Sequence, residues 1–252
     1  MNVIIAGESP FVEEFAQLSV KVGFSTSIYL VEELIDLLHD KQIFEPVSNA
    51  DVIVELHNQS VQAKKQLLIA LSDMVSAESL VLTSALPIST TQAASWVDYS
   101  ARMIGFSIIP PLEKNMIVEL ATAIQSSDLA LNEATNFLTE LGLKSIEVSD
   151  GPGLIRARIV CCLVNEAISA LMDGIATAED IDKAMKLGTN YPFGPLEWAD
   201  YVGLDTVLGV MTGLFTEWGE ERYRPSPYLK RLVMAGKLGV KSGEGFFEYS
   251  VQ

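Results

Sequence analysis

The residues with the most chemical reach lie near the start of the chain. Val3-Ile4-Ile5-Ala6 is a short apolar run that ends in Gly7 and leads into Pro10-Phe11-Val12-Glu13-Glu14-Phe15-Ala16-Gln17-Leu18, where apolar positions 11, 15 and 18 follow a helical period. Strand, glycine turn and helix in that order open a nucleotide-binding fold, whose helix start receives a pyrophosphate on backbone N–H groups. Against the G-x-G-x-x-G pattern, Gly7 supplies the tight turn. Ser9 stands at the second glycine position and puts a Cβ where phosphate approaches, while Val12 stands at the third, where small size allows close helix-to-strand packing. Glu8 adds a carboxylate beside a place meant for a dianion. The chain has two histidines, the side chains best suited to proton transfer near neutral pH. His39, on a polar helix end, reads as solvated surface. His57 follows the third strand at the rim a cofactor would pass, where a structural hydrogen-bonder is the commoner reading and a relocated base the sharper one.

The elements that position these residues alternate through the first 150 positions. After the opening strand, the pattern predicts strands at 26–30, 52–56, 80–84, 103–109, 117–124 and 144–148, with helices between them such as 63–74 and 129–141. That alternation calls for an α/β fold, a Rossmann-like doubly wound sheet over residues 1–150. From Leu154 onward only helical periods remain, so an all-helical C-terminal domain is expected over 151–252, the change falling at Asp150 to Gly153. Its first helix, 154–172, puts Ile155, Ile159, Leu163, Ala167 and Leu171 on one face. Thr177 caps a second helix that Gly188 ends, and Pro227 starts another that Gly236 and Gly239 close.

Composition narrows the partners. At 252 residues the chain is long enough to bury a sizeable core, and 17 Lys plus Arg against 33 Asp plus Glu give a net charge of -16. Such a surface repels nucleic acid and anionic lipid, so neither is an expected partner. Cys161 and Cys162 are adjacent in an apolar helical run with no second pair at metal-ligand spacing, so no metal is expected and both read as small core residues. No stretch reaches the length of a membrane span, and the chain opens on a strand pattern, which gives a cytoplasmic expectation.

Three stretches then carry a resemblance: Asp150-Gly151-Pro152-Gly153, Thr189-Asn190-Tyr191-Pro192-Phe193-Gly194-Pro195-Leu196-Glu197, and Lys241-Ser242-Gly243-Glu244-Gly245-Phe246-Phe247-Glu248-Tyr249. In that order and spacing they resemble the C-terminal helical domain of the NAD-dependent 3-hydroxyacyl-CoA dehydrogenases. The resemblance implies oxidation of 3-hydroxyacyl-CoA to 3-oxoacyl-CoA with NAD as cofactor, an acyl-CoA-type ligand, and a homodimer paired through the C-terminal domain. It also implies roles by position. Leu82-Thr83-Ser84-Ala85-Leu86 keeps the family's catalytic serine as Ser84, and Ile117-Val118-Glu119-Leu120 keeps its glutamate as Glu119. Ser107 stands at the histidine position in Gly105-Phe106-Ser107-Ile108-Ile109-Pro110-Pro111, and Ala157 at the asparagine position in Pro152-Gly153-Leu154-Ile155-Arg156-Ala157-Arg158.

On the cofactor side the matching positions are Gly7, Ser9, Val12, His57 and Lys64, with Leu30 where an acidic residue holds the ribose hydroxyls and Glu32 and Glu33 just beyond. Ala50-Asp51-Val52-Ile53-Val54-Glu55-Leu56 and Lys64-Lys65 also match, with Gln59 at a usual glutamate. The interval from Leu30 to Asp51, about twenty residues, is shorter than the family's, which carries a helical hairpin that helps hold CoA. Two expectations follow: NAD binds weakly or not at all, and the chain's own activity is absent or very low because a serine hydroxyl cannot replace an imidazole as base. The alternative to a dehydrogenase is a non-catalytic dimeric binding or structural homologue. A surplus of apolar side chains in the helical domain, namely Leu163, Ile168, Leu171, Leu196, Trp198, Val202, Leu208, Met211, Leu214, Phe215 and Trp218, supports the dimer.

Overall fold

The computed structural model of the chain describes residues 1–30, 47–72, 75–112 and 116–250. Glu32, Glu33 and His39 lie outside the described residues. The chain forms two units, Met1–Ile155 and Arg156–Gln252.

The first unit is a seven-stranded sheet of β1 (Asn2–Gly7), β2 (Ser25–Leu30), β3 (Val52–Leu56), β4 (Leu80–Ser84), β5 (Met103–Ser107), β6 (Ile117–Thr122) and β7 (Lys144–Glu147). Its order is β2-β1-β3-β4-β5-β6-β7, parallel except where β5 meets β6. The strands thus fall where the apolar runs put them, with β5 and β6 each two residues shorter than expected. The Rossmann-like expectation holds. Chain direction across the sheet reverses at β1, because β2 lies on one side and β3 on the other. Right-handed crossovers then place the following helices on opposite faces and open a crevice at the carboxyl ends of β1 and β3.

Helices α1 (Phe11–Lys21), α2 (Val61–Ser72), α3 (Thr90–Ala94) and α4 (Asp128–Glu140) cover the sheet. Alternation along the central strands sorts the core into two layers. Ile4, Ala6, Ile53, Val81 and Met103 pack with Leu67, Leu68 and Leu71 of α2 and Ala93 and Ala94 of α3. On the other face Phe15 of α1 meets Phe106 of β5 and Phe137 of α4, with ring centroids 6.0 and 6.3 Å apart. Gly105 is required between the layers, because a Cβ there would overlap the Thr90 side chain. The Asp150 carboxylate accepts from the N–H groups of Thr90 and Thr91, at 2.7 and 2.8 Å, and so holds the start of α3. Residues 151–155 stay with this unit: Gly153 N–H donates to Ala85 O, and Leu154 packs with Ala85, Ala121 and Val148.

The second unit contains α5 (Arg156–Met172), α6 (Ala178–Thr189), α7 (Pro195–Val202), α8 (Leu204–Trp218) and α9 (Pro227–Met234). It is helical as expected, with isolated bridges linking Gly239, Glu244 and Glu248. Three details depart from the sequence reading. The buried stripe of α5 is Ala157, Cys161, Val164, Ala167 and Ile168, while Ile155 and Ile159 are exposed. The helix carries apolar residues on more than one side, so periodicity alone could not choose between stripes. Cys161 is core, but Cys162 is only half-buried. Gly188 lies inside α6, which closes instead on Asn190 in the left-handed conformation at φ 56°. Thr177 caps that helix through Asp180 N–H, as the sequence indicated.

Two buried aspartates explain the C-terminal motifs. Asp182 accepts from the N–H groups of Leu196 and Glu197, at 2.9 and 2.8 Å, at the start of α7, and Gly194 is glycine because a Cβ would overlap that carboxylate. Asp200 accepts from Phe246 N–H and Phe247 N–H, both at 2.9 Å, and from the Tyr249 hydroxyl at 3.1 Å, so it ties the final loop to α7. Gly245 leaves it room. Burial pushes the Asp200 carboxyl up to about 6, against the pull of those three donors. Between the ordinary carboxylate value and about 6, the folded chain keeps a proton that the unfolded chain has released. This group's contribution to stability therefore falls as pH rises through that window and is flat above it. Urea denaturation of the protein and of D200N from pH 4 to 7.5 checks this. The stability difference between them should slope downward with pH below about 6 and level off above; a difference independent of pH rejects the assignment.

Candidate functional site

At the carboxyl ends of β1, β3 and β4 the side chains form a connected polar layer. Its centre is Glu55, fully buried in β3. Lys64, equally buried, reaches from α2 to Glu55 Oε2 and also donates to His57 O at 3.3 Å. The Thr83 hydroxyl on β4 donates to the same Oε2 at 2.6 Å, and His57 N–H donates to Oε1 at 2.7 Å. Each carboxylate oxygen thus has a donor, as a charge in a dry interior requires. Burial lowers the Lys64 ammonium from its ordinary value, opposed by the carboxylates of Glu55 and Glu8.

A second set of bonds crosses the crevice itself. Glu8, in the turn after β1, extends its carboxylate to the loop after β3, where Oε1 accepts from Asn58 N–H at 2.9 Å. Oε2 lies 3.0 Å from His57 Nδ1, off the line of a directed N–H bond. The Asn58 side chain binds in both directions: its Nδ2 donates to Leu56 O at 3.2 Å, and its Oδ1 accepts from the Ser84 hydroxyl at 2.6 Å. His57 is 6% exposed, and its Nε2 has no hydrogen-bond partner among the described residues.

The turn that would receive a pyrophosphate is occupied from within. Pro10 has no N–H, and the N–H groups of Phe11 and Val12 both donate to Glu8 O, at 3.1 and 3.2 Å. The Ser9 hydroxyl is held by Glu13 in the first turn of α1, where a carboxylate faces the positive end of the helix. Val12 is fully buried, and Gly7 runs so close to Leu56 that a Cβ would overlap it. Leu30 ends the edge strand β2 and is 41% exposed.

On the other side of β4, Ser107 ends β5 directly opposite Glu119 of β6 in the antiparallel ladder, so the two side chains share a face. Ser107 is buried, and its hydroxyl has no hydrogen-bond partner among the described residues. Glu119 Oε2 accepts from Ile155 N–H at 2.9 Å. Ala157 is fully buried in α5 of the second unit. The first unit therefore brings Gly7, Ser9, Val12, His57, Lys64, Ser84, Ser107 and Glu119 to one edge of the sheet. Sequence reasoning missed Asn58, the residue that joins Glu8 to Ser84, because nothing in a strand-end asparagine announces its partners. It also passed over Glu55 as a hub, although a glutamate inside the apolar run 52–56 was a visible signal.

Two clefts have other linings. One of about 600 Å³ opens at the opposite ends of β3 and β4, lined by Asp51, Glu78, Glu133 and Glu140. The other, of about 540 Å³, is in the helical unit among Lys183, Lys186, Glu197, Phe247 and Tyr249. Neither includes the residues above, and ligands of open α/β sheets bind at the carboxyl ends of the strands. No group of three or more potential metal ligands occurs among the described residues.

Comparison with known proteins places this geometry. The profile of the 3-hydroxyacyl-CoA dehydrogenase C-terminal domain matches residues 153–249, and that of the 3-hydroxyacyl-CoA dehydrogenase NAD binding domain matches residues 18–151. A "Probable 3-hydroxybutyryl-CoA dehydrogenase" of Deinococcus radiodurans is 37% identical over 220 residues, covering 86% of this chain and 78% of its own length. The 3-hydroxybutyryl-CoA dehydrogenase of Clostridioides difficile is 31% identical over 207 residues, covering 82% and 74%. Among solved structures, the (S)-3-hydroxybutyryl-CoA dehydrogenase of Ralstonia eutropha superposes with a TM-score of 0.79 at 29% identity, covering 99% of both chains.

The Glu55 hub gives a direct test of the buried charge. E55Q leaves the Lys64 ammonium in a dry site without its carboxylate and should cost about 3–5 kcal/mol of stability. K64M leaves Glu55 with the Thr83 hydroxyl and His57 N–H and should cost less. Urea denaturation of both variants decides; an E55Q loss under about 1 kcal/mol would mean that the pair is not buried as a charge pair.

Proposed function

This chain belongs to the 3-hydroxyacyl-CoA dehydrogenase family, and we propose that it keeps the family's scaffold while its own dehydrogenase activity is absent or very low. The observation that carries this reading is Ser107. Removal of hydride from a 3-hydroxyacyl group requires a base for the hydroxyl proton, and the family supplies a histidine oriented by the glutamate that Glu119 matches. Here the hydroxyl of Ser107 faces the Glu119 side of the ladder and cannot take up a proton at neutral pH. Glu119 Oε2 is engaged by Ile155 N–H, and Ser84 has its hydroxyl proton directed at Asn58. Neither supplies the imidazole that the histidine position would bring.

The cofactor side supports the same reading. Held against a pyrophosphate, these residues do not fit: the turn lacks one N–H at Pro10, commits two to Glu8 O, and surrounds the helix start with the carboxylates of Glu8 and Glu13. The match to the NAD binding domain begins at residue 18, beyond this turn. NAD binding is therefore weak or absent in this reading, and the chain acts as a non-catalytic homologue that binds an acyl-CoA-type ligand or serves a structural role. Calorimetry with NAD and NADH, and absorbance at the NADH band with acetoacetyl-CoA, test it together. No turnover is expected; a rate of about 1 to 10³ per second would reject the proposal and make Glu119 or His57 the candidate base.

Assembly as a homodimer through the helical unit completes the proposal. Six of the side chains behind the expectation, Ile168, Leu196, Trp198, Val202, Met211 and Leu214, are buried within the protomer and cannot serve an interface. A different apolar set is exposed there, led by Met234 at 86%, Leu187 at 78%, Ile175 at 73% and Ile159 at 58%. Closed two-fold pairing is the commonest arrangement that covers such surface. Light scattering at micromolar concentration should give twice the protomer mass; a single protomer mass rejects the dimer.

A further inference from the structure

We infer that Glu8, Asn58 and Ser84 form an internal bolt across the crevice between β1, β3 and β4, and that the bolt, beyond the loss of glycines, shuts out dinucleotide pyrophosphates. This deepens the proposed function and rests on it. The bolt has three points of attachment. Glu8 Oε1 accepts from Asn58 N–H at 2.9 Å, Asn58 Oδ1 accepts from the Ser84 hydroxyl at 2.6 Å, and Asn58 Nδ2 is fixed on Leu56 O at 3.2 Å. It therefore spans the ends of three adjacent strands at the point where the sheet reverses direction.

Its chemistry is that of a substituted ligand. A pyrophosphate bound at such an edge offers anionic oxygens to backbone N–H groups. Here the anion is the protein's own Glu8 carboxylate, and the backbone N–H it takes is that of Asn58. The adjacent His57 ring adds a group within 3.0 Å of the second carboxylate oxygen. An incoming dianion would have to displace this carboxylate, leave Asn58 N–H to a new acceptor, and approach a second negative charge at Glu13. Asn58 and Ser84 are 1% exposed, so the bond between their side chains is shielded from water, and breaking it leaves buried polar atoms without a partner. The bolt also gives Ser84 a structural assignment, with its hydroxyl proton held by Asn58 and not by a substrate.

Two experiments on the full chain test the bolt. In the first, NAD affinity is measured by calorimetry for the unaltered protein, S9G/V12G and E8A/S9G/V12G. Restored glycines alone should bind no better than the unaltered chain, and removal of the Glu8 carboxylate should tighten binding at least about tenfold over the double variant. Equal affinity of the double and triple variants, including none detectable in either, overturns the bolt. Micromolar binding by the unaltered protein would instead sink the proposed function. The second experiment needs no cofactor and keeps both glycine substitutions out. Amide hydrogen exchange at Asn58 should be at least about tenfold faster in E8A than in the unaltered chain, with E8Q, which retains an oxygen acceptor, close to unaltered. Unchanged exchange at Asn58 in E8A overturns the bolt whatever the binding data show.

Discussion

The Glu55–Lys64 pair is the constraint on which the sheet unit's functional edge depends. Both side chains are fully buried, so the pair stands only if every oxygen of the carboxylate is matched, and the partners come from three places: α2 through Lys64, β4 through Thr83, and the loop after β3 through His57 N–H. That requirement fixes where β3 ends relative to β4 and how α2 leaves the crevice. The loop it fixes, His57 and Asn58, is the one that meets Glu8 and Ser84. A buried charge of this kind adds little net stability, but it leaves few alternative arrangements of the strand ends.

Carboxylates do similar work throughout the molecule. Asp150, Asp182 and Asp200 each accept from two consecutive backbone N–H groups, at Thr90 and Thr91, at Leu196 and Glu197, and at Phe246 and Phe247. Helix starts and tight loops leave such N–H groups without intrahelical partners, and a buried carboxylate satisfies two at once. Part of the chain's acidic excess is thus internal architecture. The glycines beside two of these carboxylates, Gly194 and Gly245, are where backbone must come within reach of the oxygens. Each of the three C-terminal motifs supplies one side of such a clamp: Asp150 the carboxylate of the first, Leu196 and Glu197 the N–H groups of the second, and Phe246 and Phe247 those of the third.

The contrast between the two ends of the site follows from what each element has to do. Packing, clamps and strand order preserve the family's scaffold, and none of them requires a histidine at 107 or a glycine at 9. The fold accommodates Ser107 opposite Glu119 with its buried hydroxyl unbonded among the described residues, while Glu8 and Ser9 in the turn after β1 find partners in Asn58 N–H and Glu13. A fold carries no obligation to keep the reaction performed on it.

The sequence by itself determined the α/β sheet, each of the seven described strands, the helical second unit and the family, because apolar runs, turn residues and the three C-terminal motifs are local signals. It also gave the residue types at 9, 12, 30, 107 and 157, the positions at which the resemblance leads one to expect others. Only the tertiary structure decided which stripe of α5 is buried, since that helix is apolar on several sides and the choice belongs to its neighbours. Tertiary structure also decided that Asp182 and Asp200 are clamps and that Asn58 joins Glu8 to Ser84. Those partners lie between 14 and 50 residues apart in the chain, and a hydrogen bond from a distant backbone N–H or hydroxyl to a polar side chain leaves no period or spacing from which it could be read.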